Sequence, residues 1–311
     1  MISRRVLLVG GTVTLAGCTI GQDVVRLPWE PPPALPVTAV PELPGQLAQA
    51  TALAERLVAN AAAWKLTDRQ RASLEWFGDA VELHAQVLAS DDPARRQRVA
   101  AALPAVSVPA TSGAAATYRR LTAALTRLRG EHRARALAAS GLAALLWAGL
   151  AAFSGTMAVA LPGGPAARGD DDTGLTPDLG EGAAARVREL TAQAIYSYEL
   201  ALAAPTLSVA RRDGLRNRLA AWRTLERSLD TAGVPDVPPA LGYDLRPATD
   251  AAGARLLAAQ AERAALPILG RWVATTTSGT QRRLGVDALI AAHTSAVGHG
   301  APALRWPGWP A

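Results

Sequence analysis

Apolar residues recur at three- and four-residue spacing through most of the chain after Gly45, the spacing that gathers them on one face of a helix. Leu47, Ala50, Leu53, Leu57, Ala61 and Trp64 make the first stripe. Thr67-Asp68 supplies an N-cap for a second helix, whose inward positions are Leu74, Phe77, Val81, His84 and Leu88. Asp91-Asp92-Pro93 ends it, and a loop-rich connection runs through Pro104 and Pro109 to Gly113. A third helix carries Tyr118, Leu121, Leu125, Leu128 and His132, and a fourth spans Ala136 to Leu161. Pro162-Gly163-Gly164-Pro165 and Asp170-Asp171-Asp172 then mark a boundary.

The scheme repeats beyond it. One stripe is Val187, Leu190, Ala194, Tyr198 and Leu202. Pro205 suits the first turn of the next helix, whose stripe is Leu215, Leu219, Trp222, Leu225 and Leu229, with Arg216, Arg223 and Arg227 on the opposite face. A Pro-rich connection, Gly233 to Pro247, precedes a helix starting near Thr249 with Asp250 in its first turn. That helix carries Leu256, Ala259, Leu266 and Trp272, and Pro267 should kink it. The last helix carries Leu284, Leu289, Ile290, His293 and Val297, and a Trp-Pro tail follows from Leu304.

Each half therefore reads as two helices, a long connection, then two more helices. A long link between the second and third helices marks the ferritin-like form of a four-helix bundle, where one crossover runs the length of the bundle. The expected fold is all-α: two tandem ferritin-like four-helix bundles with long helix 2–3 crossovers. The first covers residues 46–161, a Gly/Pro/Asp linker 162–182, and the second, with its Trp-Pro tail, 183–311. Ala136 to Leu161 holds no charged residue and is long enough to cross a bilayer. Its Ala/Gly/Ser content favours a buried bundle helix instead. So does the Arg-rich flank, Arg127, Arg129, Arg133 and Arg135, which a span would leave on the outer side.

The outer side follows from the N-terminus. Arg4 and Arg5 precede an apolar run from Val6 to Leu15, and Leu15-Ala16-Gly17-Cys18 has the pattern of a bacterial lipoprotein processing site. Residues 1–18 are expected to be a signal peptide ending at a lipidated Cys18. Ser3-Arg4-Arg5-Val6-Leu7-Leu8 also resembles a twin-arginine signal, and the export route stays open. Residues 19–45 form a Pro-rich tether, extended rather than helical. The expected location is the outer face of the cytoplasmic membrane.

Half of the 311 residues are hydrophobic but only 5% aromatic, so the core must be rich in Ala and Leu, which suits helices. The +6 charge is almost all arginine, with Lys65 the lone lysine. An anionic membrane surface could use it; no aromatic-basic motif points to nucleic acid. Cys18 is the single cysteine. Once lipidated, it leaves no disulfide, thiolate metal site or cysteine nucleophile.

A ferritin-type di-metal site needs Glu-x-x-His on two helices, because i and i+3 share a face, plus a Glu from each of the others. Three residues before His84, His132, His293 and His299 stand Val81, Arg129, Ile290 and Ala296. Glu189, Glu199, Glu226 and Glu262 have no histidine near them in sequence. His84 and His132 lie on inward stripes of neighbouring helices and are weak candidates for a single metal or a haem, against the simpler role of hydrogen-bonded core residues. His299 reads as a loop residue between glycines. Asp170, Asp172 and Glu181 fit three places of a calcium loop, but Leu175 stands where its glycine belongs. No nucleophile elbow, phosphate-binding loop or dinucleotide fingerprint occurs. No catalytic residue and no cofactor are predicted.

Ala194-Ile195-Tyr196-Ser197-Tyr198, Ala210-Arg211-Arg212-Asp213-Gly214-Leu215 and Trp306-Pro307-Gly308 resemble an actinobacterial family of exported proteins with a ferritin-like domain of unknown function. The resemblance covers about Ala183 to Ala311. It implies fold and location, and carries no activity. Family members have a Glu-His pair and a further His where this chain reads Thr191-Ala192 and Ser208-Val209. The expected role is a non-enzymatic envelope lipoprotein that binds or scaffolds another envelope protein, through its tail or the groove between bundles. A metal- or haem-dependent ferritin-like oxidoreductase and a carrier of an apolar small molecule are the alternatives.

Overall fold

The computed structural model describes residues 42–90, 99–109, 113–165, 183–236, 243 and 245–309. The signal segment with Cys18, nearly all of the tether, and Asp170, Asp172 and Glu181 lie outside them. Among the described residues there are eight α-helices and no strand: α1 (Leu43–Ala59), α2 (Asp68–Leu88), α3 (Ala114–Ala138), α4 (Gly141–Ala160), α5 (Ala183–Leu202), α6 (Val209–Thr231), α7 (Ala251–Thr275) and α8 (Gly279–Gly298). The all-α expectation holds.

Local chemistry sets the starts. The Thr67 hydroxyl accepts from Gln70 N–H while the Gln70 side chain returns to the Thr67 backbone, a capping box that opens α2. Asp250 accepts from Gly253 N–H at 2.7 Å and opens α7. Ser208 and Ser278 cap α6 and α8. Ser208, not Pro205, therefore sets the start of α6; Pro205 sits in the preceding loop. The apolar run expected as one helix from Ala136 is also divided. α3 ends at Ala138, and Gly141, the first residue of α4, takes φ +59°, a left-handed conformation that favours glycine.

In the first half α1 packs on α2 and α3, and α3 on α4. Phe153 of α4 reaches α2 through stacked contact with Phe77 at 5.9 Å. In the second half α5 and α8 each pack on both α6 and α7. The helix order around each half is thus first, second, fourth, third. The connections follow suit. Arg56 of α1 donates to the carbonyls of Val108 and Pro109, and Arg188 of α5 donates to those of Val234 and Pro235. Each pins its half's long connection against that half's first helix.

α4 joins the halves. Every residue from Ala143 to Ala158 is buried, and the helix packs on α3 on one side and on α7 and α8 on the other. By length and composition it could cross a membrane, but an all-round apolar helix enclosed by others is a core helix. One apolar core runs through both halves. On α7 the buried position is Leu257, while Leu256, expected inside, is 59% exposed.

Candidate functional site

Two buried polar arrangements stand out against this Ala- and Leu-rich interior. The first is built by all four helices of the second half. Glu262 of α7 is fully buried. Its Oε1 accepts from the Tyr198 hydroxyl at 2.6 Å, from Arg218 Nε at 2.6 Å and from Trp222 Nε1 at 3.0 Å; its Oε2 accepts from Arg218 Nη2 at 2.7 Å. Arg218 and Trp222, one turn apart on α6, also stack, with the guanidinium 4.6 Å from the indole centroid. Ser295 Oγ and His299 Nε2, one turn apart at the end of α8, lie 3.2 and 3.3 Å from the Tyr198 oxygen. Since Tyr198 gives its proton to Glu262, these two groups are the donors to it.

A carboxylate has about four acceptor positions; Glu262 receives four internal hydrogen bonds, three on Oε1 and one on Oε2. Burial raises the Tyr198 pKa, and the adjacent carboxylate raises it further. Burial lowers the His299 pKa, with the Glu262 charge opposing it. The arrangement is a charge-compensated anchor in a low-dielectric core.

His299 is therefore not a free loop residue; it ends α8 and joins this cluster. Glu262 was legible as a bundle carboxylate, but its burial was not drawn from the stripe. The signal was present, because 262 lies three residues after Ala259 and four before Leu266 on the same inward face.

The second arrangement surrounds the tail. His84 of α2 donates from Nε2 to the Arg305 carbonyl at 2.9 Å, and its ring meets Phe153 and Trp306 edge-on at 4.6 and 4.5 Å. His293 of α8 accepts the Leu304 N–H at Nε2, 3.1 Å away. Its Nδ1 must then carry the proton, facing Thr156 Oγ1 at 2.9 Å and the Ala152 carbonyl at 3.3 Å. Burial pushes both pKa values down to about 4, so both rings are neutral. A Cβ on Gly270 would collide with the Gly308 carbonyl, so glycine at 270 lets the tail backbone cross α7.

Trp306 and Trp309 are 5% and 7% exposed. They offer no free docking surface: the tail fills a seam, packing on α7 and α8 of its own half and on α2 and α4 of the other. The groove expected between the halves is occupied by this tail and by α4.

His132 shares the apolar core with His84, near enough that charge on His84 would oppose charge on it. Burial, reinforced by that neighbour, takes its pKa to about 3. Its Nδ1 lies 3.3 Å from Ser154 Oγ. Among the described residues no three His, Cys, Asp or Glu side chains gather as a metal would require. Thr191 is buried with its hydroxyl on the Val187 carbonyl, and Ser208 serves as a cap. These are the positions where the family resemblance would place Glu-His and His.

Residues 184–311 match a family described as a domain of unknown function (DUF4439). The stretch is the one marked out by the Tyr-x-Tyr, Arg-Arg-Asp and Trp-Pro-Gly motifs. No curated protein and no solved structure matches the chain.

Proposed function

We propose that this chain is an exported envelope lipoprotein, anchored at Cys18, whose two ferritin-like bundles form a non-enzymatic binding or scaffolding body. The signal layout from Arg4 to Cys18 supports the anchor. The first–second–fourth–third helix order in each half, with the long connection pinned across the first helix, supports the ferritin-like description.

The observation that carries the non-enzymatic reading is the engagement of Glu262, fully buried and bound to side chains of its own half. The carboxylate of the best-built polar centre accepts four hydrogen bonds from Tyr198, Arg218 and Trp222. Two of the buried histidines are likewise engaged in holding the tail. The anchor is tested by Cys18→Ala, which should move the protein out of the membrane fraction. A variant that stays membrane-bound overturns lipid anchoring. The binding role is tested by crosslinking in intact cells, where a reproducible envelope protein partner is expected. Recovery of the chain alone overturns it.

A further inference from the structure

We propose that the cleft between α5 and α7 binds a small, largely apolar, single-ring molecule bearing a hydroxyl or carbonyl group. Two helix faces meet there with the same spacing: Leu190, Gln193, Ala194 and Ser197 on α5, and Leu257, Gln260, Ala261 and Ala264 on α7. Positions i, i+3, i+4 and i+7 share a face, so these are the stripes that would interlock if the helices closed on each other. Three of the eight residues are alanines, which are too small to fill the gap. The result is a cavity of about 140 Å³. A closed apolar cavity of about 150 Å³ takes up a benzene-sized molecule, and this cleft has nearly that volume with its Gln260 and Ala264 side open to solvent.

Leu245, from the α6–α7 connection, completes the lining. Its place is set two residues earlier. The Tyr243 ring packs on Tyr196 at 5.8 Å, and its hydroxyl donates to the Glu189 carbonyl at 3.4 Å. Gln193 and Gln260 supply the polar element. Gln193 is half-buried and Gln260 exposed, so both amides stand at the mouth of the cleft, within reach of a polar group on a bound ring. Ser197 Oγ donates to the Gln193 carbonyl and keeps an acceptor position. The cleft is separate from the polar centre around the buried Glu262, and the proposal is independent of anchoring and scaffolding.

The probe is benzyl alcohol, titrated into the full chain carrying ¹³C-labelled Ala and Leu methyl groups. Saturable shifts are expected at Ala194, Ala261, Ala264, Leu245 and Leu257, with half-saturation below about 10 mM. Ala261→Leu fills the cleft from its half-exposed side and should weaken binding more than about tenfold with an unchanged melting midpoint. If that variant folds poorly, Ala264→Leu, at an exposed position, gives the same comparison. Replacing Gln193 and Gln260 together by Leu should weaken benzyl alcohol but spare toluene. Shifts that do not saturate, or that persist in the filled variants, overturn the site. Equal loss of both probes in the Gln double variant overturns the polar assignment.

Discussion

The two halves of this protein share one scheme and differ in what they bury. Both arrange four helices in the same order, and both tie the long connection to the first helix through an arginine, Arg56 in one and Arg188 in the other. The second half places an ion pair at its centre, Glu262 with Arg218, and surrounds it with Tyr198, Trp222, Ser295 and His299. Among the described residues the first half buries no charged side chain, only hydroxyls such as Ser73 and Thr117 and the neutral rings of His84 and His132, which lie among Phe77, Phe153 and Trp147. A buried charge is tolerable only with its partner and enough hydrogen bonds. Where no such partner is supplied, burial keeps the polar groups neutral. Loss of a partner should therefore damage the second half most, while acid acts on both through buried neutral histidines, His84 and His132 in one and His293 in the other.

The largest effect is expected at the ion pair. Glu262→Ala strands Arg218, whose side chain is 14% exposed, and should cost about 3–5 kcal/mol in denaturant unfolding. Glu262→Leu with Arg218→Met should cost clearly less than the single change, because no charge is left unpaired. A double variant as damaged as the single would show that the ion pair is not what holds this centre.

The tail comes next. Trp306→Ala should cost about 3 kcal/mol or more, and Gly270→Ala about 1–3 kcal/mol through the blocked tail crossing. Deleting 304–311 should lower the melting midpoint sharply. Unchanged stability would place the tail outside the seam.

Acid acts through the buried neutral histidines of both halves. A histidine with a lowered folded pKa stabilises the protein fully above its unfolded value near 6.5. That contribution is lost as pH falls toward the folded value. For His84 and His293, with folded values of about 4, the loss runs from about pH 6.5 to pH 4 and reaches roughly 3 kcal/mol each. His293→Leu should flatten this dependence while lowering stability at neutral pH, since Leu304 N–H loses its acceptor. The smallest effect is expected at Arg133–Asp287, an exposed bidentate pair between α3 and α8. Asp287→Ala should cost at most about 1 kcal/mol and less at high salt.

Helix count, most inward stripes and the long connections were legible because each depends on local spacing and on caps such as Thr67 and Asp250. The start of α4 was not. Ala, Gly and Ser around 139–141 carry no charge or cap signal strong enough to separate two helices. Leu256 and Leu257 are adjacent, and only the positions of α5 and α8 decide which turns inward. The polar centre needs four helices together, and no sequence spacing links Tyr198, Arg218, Glu262 and His299. The tail's partners, His84 and His293, lie 221 and 11 residues from the atoms they hold, and nothing local announces either bond.

The central claim is that the buried polar groups hold the fold rather than a reacting centre. The most direct test is elemental analysis with an absorption spectrum on protein purified from its native host without a metal-binding tag. Sub-stoichiometric metal and a featureless visible spectrum are expected. About two irons per chain, or a Soret band, would contradict the account and make the bundles a redox site.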